Sequence, residues 1–196
     1  MGIEYERKYK ATPQSLDQLE AAMGQNAAVI RMETAYYDTL TGDFSARHWT
    51  LRRRLENERS VCTFKFPVDA IGRGEFEVEC DNIREGVEKL CKLSGQPELA
   101  ILAEKGLVQV CGARFTRTAI AVTVGASRLE LALDRGVLLG GGKELPLFEA
   151  EAELKSGQTA DVDRFGLYLQ TAFGLEPESR SKFARAKALA KENCDV

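Results

Sequence analysis

Histidine is almost missing from this chain, with His48 its single representative. That scarcity argues against zinc chemistry built on histidine and against a serine–histidine triad chosen from several bases. The five cysteines (Cys62, Cys80, Cys91, Cys111 and Cys194) are odd in number and show no CxxC spacing. With no hydrophobic segment at the N-terminus, they read as small, inert core residues in a reduced, cytoplasmic setting. No apolar run approaches the roughly 18 residues that a membrane-spanning helix needs, so no membrane partner is expected. A basic excess is lacking too. The chain sets 27 Lys and Arg against 30 Asp and Glu, a net charge of −3. That balance argues against a general nucleic-acid binder and still permits a local basic pocket. Linkers, low-complexity tracts and internal repeats are absent as well. The 196 residues, 44% of them hydrophobic, therefore read as one domain over 1–196 with one substantial core.

What is present is mostly β signal. Segments near 2–10, 29–38, 48–56, 60–67, 74–80, 107–117, 119–124, 127–134 and 147–155 read as strands. ENERS (56–60) and GAS (125–127) read as hairpin turns, and GGG (140–142) as a flexible loop tip. Helical patterns fit four places. In TPQSLDQLEAAMG, Thr12 is an N-cap candidate and Pro13 suits the first turn. Leu16, Leu19 and Met23 share a face, and Gly24 ends the helix. The others lie near 84–105, broken at Gly95–Pro97, and near 160–173 and 180–192.

The strands carry an unusual second face. Where neutral polar residues would normally alternate with apolar ones, mixed charge clusters instead. The first strand offers Glu4, Glu6 and Lys8, TLRRRLE offers Arg52 and Arg54, and TFKFP offers Thr63 and Lys65. RGEFEVE aligns Arg73, Glu75, Glu77 and Glu79, RLELALDRG aligns Glu130 and Asp134, and FEAEAELK aligns Glu149, Glu151 and Glu153. An open sheet would turn these faces to water. A closed antiparallel barrel of about eight strands would turn them inward, with helices packed outside. Three glutamates at alternate positions repel one another on an exposed strand, so the expected fold is α+β with a closed eight-stranded antiparallel barrel.

Clustered glutamates without histidine or thiolate partners form an all-oxygen environment suited to Mg²⁺ or Mn²⁺. Glu4 and Glu6 on one strand, and Glu149, Glu151 and Glu153 on another, are the candidate metal ligands. Lys8, Arg52, Arg54, Lys65, Arg117 and Lys182 are then available to phosphate oxygens, arginine as a two-pronged fork and lysine as a point charge. Each stretch alone also reads as a solvated strand face, and the basic C-terminal helix as a solvated helix. Their joint order is what carries the functional reading.

That order resembles the CYTH domain, or triphosphate tunnel metalloenzyme superfamily. Its ExExK signature is matched by Glu4, Glu6 and Lys8. YYDT follows at Tyr36–Thr39, LRxR at Leu51–Arg54 and a TxKxP-like strand at Thr63–Pro67. An RxExE-like stretch at Arg73–Glu77, a strand arginine at Arg117, ELALDxG at Glu130–Gly136, ExExE at Glu149–Glu153 and an SK pair at Ser181–Lys182 complete the series.

The resemblance implies an eight-stranded barrel whose charged interior binds a small-molecule triphosphate. It implies divalent metal on Glu4 and Glu6 with members of Glu149, Glu151 and Glu153. Phosphate falls to Lys8, Arg52, Arg54, Lys65, Arg117 and Lys182, with Arg73 and Arg185 in support. Glu75, Glu77, Glu130 and Asp134 are implied to hold basic side chains or to add to a second metal site. Lys65 and Tyr36 match a lysine–tyrosine pair given a catalytic role in the thiamine triphosphatases of the family. Inorganic triphosphatase is the expected activity, on the likeness of SRLELALDRG and FEAEAELKSG to bacterial enzymes of that kind. The alternatives are a thiamine triphosphatase, a class IV adenylate cyclase, a non-catalytic polyphosphate- or nucleotide-binding module, and a plain α+β scaffold.

Overall fold

Period-two alternation sets up one antiparallel sheet, and six helices punctuate it. The computed structural model describes residues 2–3, 5–68 and 73–191. In chain order the elements are β1 (Gly2–Ile3), β2 (Glu6–Lys10), α1 (Pro13–Met23), β3 (Ala28–Thr39), α2 (Asp43–Ala46), β4 (Thr50–Glu56), β5 (Arg59–Pro67) and β6 (Arg73–Glu79). They continue as α3 (Ile83–Ser94), α4 (Pro97–Ala103), β7 (Leu107–Val124), β8 (Ser127–Gly140), β9 (Lys143–Ser156), α5 (Thr159–Phe173), β10 (Glu176–Pro177) and α6 (Lys182–Lys191). Thr12 caps α1 through a reciprocal box with Ser15, and Pro13 opens the helix. The 84–105 pattern divides into α3 and α4, with Gly95 in the left-handed region ending α3.

The sheet corrects the expected closed eight-stranded barrel. Ten strands lie in the linear order β1-β6-β5-β4-β3-β7-β8-β9-β2-β10, and no ladder among the described residues joins the end strands β1 and β10. The N-terminal segment reads as one strand but is divided near Tyr5. Its first piece pairs with β6 and its second with β9. In a flat sheet those two pieces would stand roughly 38 Å apart at the usual strand spacing. Ile3 and Glu6 are no more than about 11 Å apart along the chain, so the sheet is strongly curled.

Other expectations change locally. The two strands foreseen at 107–117 and 119–124 are one 18-residue strand, β7. The triple glycine is not a flexible tip. Gly140 pairs with Lys143, leaving Gly141 and Gly142, both at positive φ, as a two-residue hairpin turn. The short α2 carries no legible signal and was unexpected. Cys62 and Cys80 are joined as a disulfide, against the expectation of reduced thiols. Val61 pairs with Glu79, and this register brings together two cysteines 18 residues apart. Cys91 and Cys111 are free, and Cys194 lies outside the described residues.

Two apolar clusters cover one face of the sheet. Tyr9, Leu131, Leu133, Ala150 and Ala152 pack with Leu16 and Leu19 of α1 and Val162, Phe165 and Leu169 of α5. Leu51, Cys62 and Phe64 pack with Phe44 of α2, Val87 and Leu90 of α3, and Leu99 and Leu102 of α4. The opposite face holds the charged residues, and α6 lies against it. Met32, Tyr36, Cys111, Ala113, Phe115, Leu138 and Leu147 cluster there around Ala186 and Phe183. Helices therefore cover both faces, not only the outside.

α6 approaches the sheet closely at Gly140. A Cβ there would run into the Ala186 carbonyl oxygen and lie 2.9 Å from the Ala190 nitrogen, both backbone atoms that cannot swing aside. Gly140→Val is expected to lower stability by about 1–3 kcal/mol or more, read as a fall in melting temperature. Because α6 carries Lys182 and Arg185, the same variant is also expected to lose ligand-induced stabilisation. An unchanged melting temperature would show that α6 docks less tightly than described.

Candidate functional site

Strand register decides which side chains can meet. Lys8 stands opposite Glu151, and Glu6 opposite Glu153. Asp134 stands opposite Glu149 on one side and Arg117 on the other, while Glu130 faces Glu153. On the far strands Tyr36 pairs with Arg52, Arg52 with Thr63, Thr63 with Glu77 and Lys65 with Glu75. Because directly opposed residues share a face, these charges all lie on one side of the sheet. The short β10 pairs with β2, and the Glu178 N–H donates to the Lys8 carbonyl. This steers the chain over the edge of β2 and delivers Lys182 and Arg185 to the charged face.

The densest cluster is acidic and buried. One oxygen each of Asp134, Glu149 and Glu151 lies within 4.8 Å of the others, and Asp134 and Glu149 are 0% exposed. Lys182 Nζ sits among them, 2.8 Å from Asp134 Oδ2 and 2.8 Å from Glu151 Oε1, and bonded to Glu149 Oε1. Arg117 forks onto both oxygens of Asp134 at 2.8 Å and donates to Glu151 Oε2 at 2.6 Å. Arg185 donates to the other oxygen of Glu149. Lys8 pairs with Glu6 at 2.9 Å, and Glu153 with Lys155 at 2.7 Å.

These neighbours set the ionisation. Burial raises the Glu149 carboxyl to about 7, an effect that Glu151 reinforces and that Lys182 and Arg185 oppose. Burial also penalises the Glu151 charge, but Lys182 and Arg117 outweigh it and hold that carboxyl well below its ordinary range. For Lys182, burial works against the ammonium, and Glu151, Asp134 and Glu149 together overcome it, so the group stays protonated.

A second wall is basic. Arg52 approaches Glu75 at 3.7 Å, Arg54 contacts Glu56 and approaches Glu77 at 3.5 Å, and Lys65 lies 3.2 Å from Glu75. Arg54 is pushed below the usual arginine value, first by burial and then by the adjacent charge of Arg52. Its Nε, like that of Arg185, is buried without a hydrogen-bond partner. Buried donors left open beside repelling positive charge suit an incoming anion.

Of the five proposed metal ligands, Glu149 and Glu151 come together, and Glu6 and Glu153 stand opposite each other one step along the strands. Glu4 lies outside the described residues, as does the side chain of Arg73. Asp134 was expected in support and stands inside the carboxylate cluster. Its phase in the ELALDRG strand was the available signal. Glu56 was missed, although it shares the phase of Arg52 and Arg54. Tyr36 is buried against Phe183 at 5.1 Å between ring centres. Lys65 lies two strands away, opposite Thr50. An all-carboxylate donor set of this spacing fits a hard divalent ion such as Mg²⁺ or Mn²⁺.

Known proteins resemble this chain in sequence and in fold. An inorganic triphosphatase of Haemophilus influenzae is 27% identical over 161 residues, covering 80% of this chain. The chain spans only 45% of that protein's own length. Among solved structures, an adenylyl-cyclase candidate from Hippeastrum, described as having a dominant triphosphatase activity, superposes with a TM-score of 0.64. It shares 19% identity, with 96% of both chains covered. A Pyrococcus horikoshii protein gives 0.63 at 21% identity, covering 97% of this chain and 99% of its own. These two likenesses concern the fold. The profile of the CYTH domain matches residues 2–186, nearly the whole length, and this chain is a member of the CYTH domain family.

Proposed function

We propose that this protein, acting as one domain over 1–196, hydrolyses the terminal phosphate of inorganic triphosphate with Mg²⁺ or Mn²⁺. The observation that carries the reading is the division of one sheet face into a buried carboxylate cluster and a basic wall with open donors. The name of the Haemophilus influenzae relative supports the choice of substrate. Asp134, Glu149 and Glu151 would hold the ion, with Glu6, Glu153 and Glu4 as further ligands. When bound, the ion supplies charge neutralisation and Lewis-acid polarisation at phosphate oxygens.

The remaining work belongs to the chain. Arg52 and Arg54 fork onto phosphate oxygens, and Lys8, Arg117 and Lys182 add point charges and hydrogen bonds. Glu75 and Glu77 hold the basic side chains in place, with Glu130, Arg73 and Arg185 in support. Lys65 and Tyr36, on the same face as Arg52, form the catalytic pair in this reading. A water held by a carboxylate attacks the terminal phosphorus in line, and the bond to the diphosphate leaving group breaks. Phosphoryl transfer gains mostly from positioning and electrostatic stabilisation, which a pre-charged face provides.

Orthophosphate release from inorganic triphosphate, ATP and thiamine triphosphate, each with Mg²⁺, Mn²⁺ or EDTA, tests the reading. The expected result is a strong preference for the bare triphosphate, abolished by EDTA. Release that persists in EDTA would overturn the metal assignment, and faster turnover of thiamine triphosphate would overturn the substrate.

Arg54→Met separates function from stability. Burial and the Arg52 charge disfavour the Arg54 cation while Glu56 and Glu77 favour it, so the variant is expected to fold with only a modest change in melting temperature. Its kcat/KM should fall about 100-fold, the scale of losing one transition-state donor. A folded variant with full kcat/KM would remove Arg54 from the phosphate site.

A further inference from the structure

The acidic cluster is already matched by cations without any metal. Three carboxylates meet three cations: Arg117 on Asp134 and Glu151, Arg185 on Glu149, and Lys182 on all three. Lys182 is the one described cation that touches every member. Its ammonium lies where an ion bridging the three carboxylates would have to sit. Adding a divalent ion to this set would leave two surplus positive charges in a site from which water is largely excluded, at considerable cost.

The three cations differ in how easily they can leave. Arg117 is anchored mid-strand with its fork clamped on Asp134. Arg185 closes the first turn of α6 and ion-pairs with Glu149. Lys182 begins α6 and carries its charge at the end of a four-carbon stem with three rotatable donors, so its ammonium can be re-aimed by side-chain torsions with the helix in place. Outside the cluster, what would receive that ammonium is negative charge, and triphosphate brings several units of it.

We propose that Lys182 is a placeholder cation. Its ammonium holds the place between Asp134, Glu149 and Glu151 in the free protein, and yields it to the divalent ion when triphosphate arrives to accept the ammonium. The inference rests on the proposed function and deepens it: metal and triphosphate bind as a coupled pair, each weak alone. Reciprocity then requires that triphosphate raise metal affinity by the same factor by which metal raises triphosphate affinity.

Equilibrium binding of Mn²⁺, read from the electron paramagnetic resonance signal of the free ion, tests this on the whole protein without turnover. A non-hydrolysable triphosphate analogue serves as the anion, and the Mn²⁺ that it chelates in protein-free solution is subtracted. In the parent, the analogue is expected to tighten Mn²⁺ binding roughly tenfold or more, within the range of ordinary coupling between sites. Lys182→Met should bind Mn²⁺ alone roughly tenfold tighter than the parent and show little further gain from the analogue.

Equal or weaker Mn²⁺ binding by a folded Lys182→Met variant would overturn the placeholder role. The parent supplies a second test that needs no variant, because Mn²⁺ affinity independent of the analogue would overturn it too. Failure of the functional reading looks different. Lys182→Met would then bind Mn²⁺ alone tighter than the parent while the parent releases no orthophosphate from inorganic triphosphate, which supports the placeholder and removes the hydrolase.

Discussion

The site and the packing of the last helix depend on one buried interaction, the meeting of Lys182 with Asp134, Glu149 and Glu151. Taking charges out of water costs several kcal/mol per ion before pairing offsets it, and such clusters seldom earn their place by stability alone. Here the cost is met by near-complete mutual neutralisation with Arg117 and Arg185. Removing any one partner leaves an uncompensated charge in the interior. The cluster therefore ties β7, β8, β9 and α6 into one electrostatic unit.

That unit explains why α6 lies on the charged face. Its apolar side, through Phe183 and Ala186, closes over Tyr36, Cys111, Ala113, Leu138 and Leu147. Its first turns carry the cations that the carboxylates need. The same helix thus completes a core and a charge cluster, and Gly140 permits the approach by lacking a side chain. The basic wall on β4 and β5 is differently balanced. Arg52, Arg54 and Lys65 pair with Glu75, Glu56 and Glu77, yet Arg52 and Arg54 repel each other and the Arg54 Nε stays without a hydrogen-bond partner. One face of one sheet therefore presents an acidic pole and a basic one, a polarity suited to a metal-bridged anion.

Much of this was legible because side-chain direction in a strand is a local property. Period-two alternation assigned Arg52 and Arg54, Lys65, Glu75 and Glu77, Glu130 and Asp134, and Glu149, Glu151 and Glu153 to one face of their strands, and the ladders place them on one side of the sheet. The capped helix at Thr12, the break at Gly95–Pro97 and the terminal helix were equally local signals. Asp134 was undervalued because its closeness to Glu149 depends on the register between β8 and β9, which no single strand displays. Glu56 was passed over for a similar reason, since its contact with Arg54 appears only once the strand is built.

The sequence by itself determined most of the longer elements, the apolar and charged faces of their strands and the hard-oxygen character of the acidic cluster. These follow from backbone geometry and residue chemistry over a few neighbouring positions. Tertiary structure alone decided where the sheet ends, because the split of the N-terminal strand near Tyr5 depends on which partner each piece pairs with. It also decided the joining of Cys62 to Cys80, and the side of the sheet that α6 covers. Above all it decided that Lys182 stands among three carboxylates more than thirty residues away. Such contacts depend on register and on the path of the whole chain, and no local pattern carries that information.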